Sequence, residues 1–368
     1  MWTIWKEELY KIASRKLVWL GVSLLLAFVT FRLYSEQNTY SSTIDGKTYR
    51  GAEAIKKDQE LTRLYAGTLT LDKVKQIYEE YGFFFYDKDD KTRLGNYCNW
   101  FISKEFTNFM QTDGYDPGQV HFYTGQDWEF NAEPLLHGGI RFDYIYGWSD
   151  LAEIYLMTII VLFILLIIGL TPLFSEEYQL KTADILRTTR RGRQSGIWMK
   201  ILAALFFSVV LVLAVTAYLW GIYLDVYGTQ GLDASSALLS FAYGYYPETA
   251  AGFLVFLFFL GLAGAILLTG LTAGVSAFCQ SPFLALVISV AGFLLPVFWI
   301  KVFAPTWILG PRLTKLVTHF MASMPVYLPQ NPGFSFSRGQ LILHLCIALA
   351  AGTGGILLGY RRYRSASH

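Results

Sequence analysis

Cysteine is scarce in this chain: there are three in 368 residues, at 98, 279 and 346. Cys279 and Cys346 fall at or within apolar runs, so the polar segment holding Cys98 has no second thiol for an internal disulfide. That segment must fold without one, and pairing with another molecule is the only disulfide chemistry left to Cys98. Catalytic signatures are also missing. There is no Gly-x-x-x-x-Gly-Lys-Ser/Thr phosphate loop, no Gly-x-Ser-x-Gly elbow and no His-Glu-x-x-His pair. His121, Asp127, Glu129 and His137 match no metal-ligand spacing, so no metal site is expected. The net charge is only +2, and no partnership with nucleic acid is expected. Charge is sparse inside the apolar runs, where Arg32, Glu153, Asp225 and Lys301 all lie near the ends. An ion-driven transporter would place carboxylates deep in its helical bundle.

Apolar sequence dominates what is present. Hydrophobic residues make up 54% of the chain, and mean hydropathy is +0.37, too apolar for a soluble domain of this length. The charged residues sit in blocks that leave six long apolar windows, at 17–34, 151–173, 199–224, 250–279, 283–303 and 341–360. Each approaches the roughly 20 residues that cross about 30 Å of hydrocarbon. The expectation is an all-α polytopic membrane protein with six transmembrane helices. The fourth and fifth spans form a hairpin about Cys279-Gln280-Ser281-Pro282.

Lys and Arg in the short segments set the orientation. With the N-terminus inside, the inner segments hold Lys6, Lys11, Arg15, Lys16, Lys181, Arg187, Arg190, Arg191, Arg193, Lys200, Arg361, Arg362 and Arg364. The short outer segments, 225–249 and 304–340, hold only Lys301 at a span end, Arg312, Lys315 and Arg338. Both termini, including the tail 361–368, are therefore expected in the cytoplasm of a cell, bacterial by expectation, with the chain in its plasma membrane. The first span lacks a small-residue cleavage site and is read as a retained anchor.

Residues 1–16 read as an interfacial amphipathic helix. Trp2, Trp5, Leu9 and Ile12 recur at helical spacing, and Lys11, Arg15 and Lys16 are placed to meet anionic lipid. Residues 35–149 form an outer domain with 18 acidic and 12 basic residues. There, Thr70 caps an apolar-periodic run (Val74, Ile77, Tyr78, Tyr81) that Gly82 stops. A second helix carries Trp100, Phe101, Phe106, Phe109 and Met110 and ends before Asp113-Gly114. Residues 120–123 and 140–144 alternate as strands do, giving a small α+β domain.

The most informative stretch is Ile154 to Arg193. An apolar span breaks at Thr171-Pro172 into an acidic, amphipathic helix running from Phe174 through Leu186. An arginine cluster follows, within a basic cytoplasmic segment 174–198. Glu176 and Glu177 lie near the expected helix start and Arg187 near its finish, the arrangement the helix dipole favours. The fourth span carries two small-residue pairs, Gly261 with Gly264 and Gly270 with Gly274. They fall on roughly opposite faces, and the second is a Gly-x-x-x-Gly pair that permits close helix approach, within the chain or to a second subunit.

An N-terminal interfacial helix, six spans and a cytoplasmic helix between the second and third resemble the permease subunit of an ABC-2 type transporter. In that family the cytoplasmic loop commonly reads Phe-x-x-Glu, then Thr and a short apolar run ending before basic residues. Phe174-Ser175-Glu176-Glu177 and Thr182-Ala183-Asp184-Ile185-Leu186, followed by Arg187 and Arg190, fit it. Members often carry short helices between the fifth and sixth spans, a place that 307–310 and 316–321 fill here. Many have only a short first outer loop, so the domain at 35–149 is a departure.

The resemblance implies an ABC ATP-binding subunit dimer as partner, which binds the ATP and Mg, no cofactor in this chain, and a second permease subunit, identical or homologous. It implies export of an amphipathic cargo such as an antimicrobial peptide, lipid or drug; separately, the acidic, aromatic-rich composition of the outer domain favours a cationic, partly apolar partner such as a peptide cargo. The alternative is a sensing or scaffold protein that signals through the cytoplasmic loop. A membrane-embedded enzyme would need polar residues clustered at one bilayer depth, which the spans lack.

Overall fold

A computed structural model describes residues 1–89, 93–124, 135–136, 139–189, 192–239, 248–298 and 338–365. The chain is mostly helical. In order come α1 (Trp2–Ala13), α2 (Lys16–Thr39), α3 (Gly51–Tyr65), α4 (Leu71–Tyr81) and α5 (Tyr97–Phe106). Then follow α6 (Tyr146–Leu170), α7 (Pro172–Gln179), α8 (Ala183–Thr188), α9 (Ile197–Tyr227), α10 (Ala250–Phe278), α11 (Pro282–Phe298) and α12 (Arg338–Ser365). The strands are short and form three antiparallel pairs: β1 (Ser41–Ile44) with β2 (Lys47–Arg50), β3 (Gly67–Thr68) with β6 (Arg141–Phe142), and β4 (Phe85–Tyr86) with β5 (Arg93–Leu94).

Among the described residues, five helices are long and apolar enough to cross a membrane: Lys16–Thr39, Tyr146–Gln179, Gln194–Tyr227, Ala250–Phe278 and Ile342–Ser365. The fifth expected span, 283–303, is described as α11, which has 17 residues. At about 1.5 Å per residue this described part rises some 25 Å, and positions 299–303 lie outside the described residues. So do the expected short helices at 307–321.

The chain packs into two compact units. The first comprises Met1–Ala27, Ile154–Tyr218 and Phe256–His368; the second comprises Phe28–Glu153 and Leu219–Val255. Within the first, the helices pack through small residues and buried hydroxyls. A Cβ on Gly270 would strike the carbonyl of Gly352, and one on Gly274 would lie 2.8 Å from the carbonyl oxygen of Gly355. A Cβ on Gly359 would in turn lie 3.2 Å from the Cα of Gly274. The Gly270/Gly274 face is thus spent on α12 of the same chain, through Gly352, Gly355 and Gly359, which recur at helical spacing and include a second Gly-x-x-x-Gly pair. The opposite face behaves separately: a Cβ on Gly261 would meet the Tyr155 hydroxyl of α6 at 3.0 Å, and Gly264 is buried. Thr269 donates to Ser208 at 2.8 Å, and the Tyr155 and Thr216 hydroxyls lie 3.2 Å apart, each contact joining two spans.

The second unit is built on aromatic rings. Phe84, Phe109 and Val120 form a buried cluster with Phe83, Tyr86 and Trp100 against it. Tyr97, Phe101, Phe142 and Tyr144 make a second stack, with centroids 4.7 Å apart for Tyr97–Tyr144 and 4.8 Å for Phe101–Phe142. α4 starts and stops where its sequence indicates. Lys73 donates its backbone N–H to Thr70 Oγ1 at 3.3 Å, and Gly82 closes the helix at φ 64°, a backbone conformation that glycine adopts without strain. α5 has a cap less visible in sequence, a reciprocal box in which Asn96 and Asn99 accept each other's backbone N–H at 3.0 and 2.9 Å. The expected second helix ends at Phe106 and continues as a 3-10 turn over Asn108–Gln111, so Phe109 and Met110 lie beyond α5. The strand expected at 120–123 is reduced to a single bridge between Thr107 and Phe122. Cys98 is fully buried and lies 3.6 Å from the Thr62 hydroxyl. Burial pushes its thiol pKa well up, so it is inert packing and not a link to another molecule.

The buried Asp58 carboxylate is held by neutral donors. Asp58 accepts from Tyr40 Oη and Ser42 Oγ, both at 2.6 Å, and from the backbone N–H of Tyr97 at 3.1 Å. Burial pushes its pKa up to about 6, against the opposing pull of these three donors.

Candidate functional site

Pro172 creates the site. It lacks an N–H and interrupts the long helix that starts at Tyr146, so α6 gives way to α7 after Thr171. One hydroxyl from a neighbouring span repairs the break. Ser276 of α10 accepts from the backbone N–H of Phe174 at 3.0 Å and of Ser175 at 3.1 Å, and donates to the Thr171 carbonyl at 2.6 Å. Membrane helices tolerate proline where a neighbouring hydroxyl satisfies the freed backbone.

The single helix expected over 174–186 is in fact two. α7 ends at Gln179, Lys181 adopts a positive φ of 56°, and the Thr182 N–H returns to the Glu177 carbonyl at 2.9 Å before α8 begins. The expected dipole arrangement is corrected accordingly. Glu176 and Glu177 occupy the last turn of α7, where a helix dipole disfavours them, and Asp184 takes the first turn of α8.

The two glutamates sit there because cations meet them. Glu177 is buried and accepts from Lys200 Nζ of α9 and from Tyr363 Oη of α12. Lys200 lies 3.9 Å from Glu8 of α1, and Glu8 pairs with Lys11 at 2.8 Å. Glu176 pairs with Arg15 at 2.8 Å. Phe174 is fully buried, its ring centroid 4.9 Å from that of Tyr363, with the Lys200 ammonium 5.7 Å from the Phe174 centroid. α1, α7, α9 and α12 thus meet on one charged node. Burying such charges costs desolvation that their mutual attraction offsets, so losing one partner is far more costly than losing the pair.

Against this node lies a cavity of about 620 Å³. Its charged lining is balanced: Glu8, Glu176 and Glu177 face Lys11, Arg15 and Lys200. Its apolar lining includes Ile12, Leu173, Leu180, Ile185 and Leu186. Leu180 and Ile185 are about two-thirds exposed, at 65% and 67%, and Leu186 is also exposed, so the rim offers apolar surface to a partner. Thr182 is half-buried at the turn and Asp184 is exposed beside Ile185. α8 carries the backbone of Arg187 in its last turn, and Arg190 lies outside the described residues. Glu8, Lys11, Arg15, Lys200, Ser276 and Tyr363 were not among the residues the sequence marked for this site. Lys200, a lone cation at the head of a long apolar run, was the one available signal.

Comparison with curated proteins and with solved structures gave no significant match. A family model described as ABC-2 family transporter protein matches residues 2–331, nearly the whole length. The chain therefore belongs to the ABC-2 transporter family.

Proposed function

We propose that the chain is the membrane-spanning permease subunit of an ATP-driven exporter, and that its α7–α8 corner is where a separate ATP-binding subunit pushes. Membership of the family implies a permease that works with an ATP-binding subunit and carries no ATPase of its own. The observation that supports the location is the combination of exposed Leu180, Ile185 and Leu186 at the cavity rim with the buried Glu177–Lys200–Tyr363 node directly behind them. A force on α8 reaches α7 through the Lys181 turn. From Glu177 it passes to α9 and α12, so a small displacement of a short element becomes a displacement of membrane helices.

In this reading ATP and Mg bind to the partner dimer, two permease subunits complete the pore, both termini face the cytoplasm, and residues 35–149 face outside. The cargo is amphipathic, and a cationic peptide suits the acidic, aromatic outer segment best. The purified chain should show no ATP hydrolysis, and should support hydrolysis once reconstituted in lipid with its ATP-binding subunit. Hydrolysis by the chain alone at transporter rates would overturn the proposal. Transport-independent signalling through the loop with no ATP-binding partner would favour the sensor alternative.

A further inference from the structure

We propose that the α9–α12 corner at Trp198, Tyr360, Arg361 and Arg364 is a binding site for the headgroup of an anionic phospholipid. A recess of about 640 Å³ is lined there by Trp198, Leu357, Tyr360, Arg361, Arg364 and Ser365. It contrasts with the α7–α8 cavity in one decisive respect. There each of the lining cations Lys11, Arg15 and Lys200 is matched by a glutamate; here two guanidiniums line the recess and, among the described residues, no carboxylate does.

Depth points to a lipid. The run from Ile342 to Tyr360 rises about 28 Å at roughly 1.5 Å per residue, close to the thickness of a hydrocarbon core. Arg361 and Arg364 therefore stand within the first turn past the apolar span, at headgroup level. They are three residues apart on one helix and can address the same phosphate, with the planar, forked donors that suit phosphate oxygens. Arg364 is held in place by Tyr360, 3.5 Å from its hydroxyl and 5.9 Å from its ring centroid. Trp198 and Tyr360 pair at 5.4 Å between centroids and make an aromatic floor of the kind favoured at membrane interfaces. Leu357 and Leu358 are exposed just below, giving an acyl chain an apolar track. Arg362, between the two, is directed elsewhere: its guanidinium lies 5.8 Å from the Phe278 ring centroid.

The site has a consequence for the proposed function. Tyr363 and Lys200, both bonded to Glu177, follow Arg362 and Trp198 closely on the same two helices. A lipid bridging Trp198 and Arg361 would steady the pair of helices that receives the push from α7.

The test uses the full-length protein in nanodiscs of phosphatidylcholine doped with phosphatidylglycerol, with retained lipid measured by native mass spectrometry. The wild type should retain phosphatidylglycerol over phosphatidylcholine. The double variant Arg361→Gln, Arg364→Gln should lose at least about tenfold of that preference, with an unchanged thermal midpoint in pure phosphatidylcholine. Arg361→Lys, Arg364→Lys should keep part of it, and Arg362→Gln should keep all of it. Equal loss in Arg362→Gln would show diffuse charge attraction and overturn the site, as would undiminished retention in the double variant. Competition by millimolar inorganic phosphate as effective as by lipid would also overturn it, because the ligand would then be a free phosphate. None of these outcomes depends on the ATP-binding subunit, so failure here leaves the proposed function standing, and failure there leaves this site standing.

Discussion

Glu177 shows how one side chain can hold a corner of a membrane protein together. Its carboxylate is shared between the Lys200 ammonium and the Tyr363 hydroxyl, and all three side chains are buried. Truncating one member of a buried pair strands the other charge, at a cost of about 3–5 kcal/mol. Glu177→Gln should therefore lower the thermal midpoint sharply, and Glu177→Gln combined with Lys200→Met should recover much of the loss. If the double variant melts no higher than the single one, the node is not an ion pair of the kind described. Asp58 gives a residue-scale prediction of opposite character. Its folded pKa, about 6, lies above the ordinary aspartate value of 3.8. The native state thus holds the proton more tightly than the unfolded chain does. The contribution of this group is fully present below about pH 4 and is lost as pH rises through about 6. Thermal midpoints between pH 4 and 7 should fall more steeply for the wild type than for Asp58→Asn; parallel curves would contradict this.

At the scale of elements, the Pro172 break depends on Ser276. Ser276→Ala removes the acceptor for two backbone N–H groups, and each buried unsatisfied group costs about 1–3 kcal/mol. The variant should lose stability while Ser276→Thr keeps most of it, measured by denaturation in a fixed detergent. Gly270→Leu should be worse still, since its Cβ alone already collides with the Gly352 carbonyl. These elements also show which parts of the fold the sequence discloses. Helix α4 was legible because its cap, its apolar period and its stop residue are all local to residues 70–82. The proline break was legible for the same reason. The division of 174–186 into two helices was not, because the Lys181 turn has no glycine or asparagine to announce it. Nor was Ser276, whose role is created by a helix distant in sequence, whereas Gly352, Gly355 and Gly359 form a small-residue face at helical spacing of which only the partner is not local. The dipole argument for Glu176 and Glu177 failed because ion pairing with Arg15 and Lys200, which no local pattern encodes, outweighs a helix-end effect of about 0.3–1 kcal/mol.

At the scale of the whole molecule, composition was enough to establish a polytopic membrane protein, and the order of segments was enough to suggest its family. Five helices meet the length and apolarity of a span among the described residues, and the family match covers residues 2–331. Hydropathy carries this information because each span must satisfy its own backbone and bury its own length in lipid. The central claim is that the exposed rim of α8 is the docking surface for the ATP-binding subunit. The most direct measurement is co-purification of that subunit with the double variant Ile185→Arg, Leu186→Arg, compared with the wild type. Both side chains are exposed, so the substitutions leave the folded core intact. The account predicts at least a tenfold loss of bound ATP-binding subunit with an unchanged thermal midpoint of the permease, whereas full retention of the subunit would contradict it.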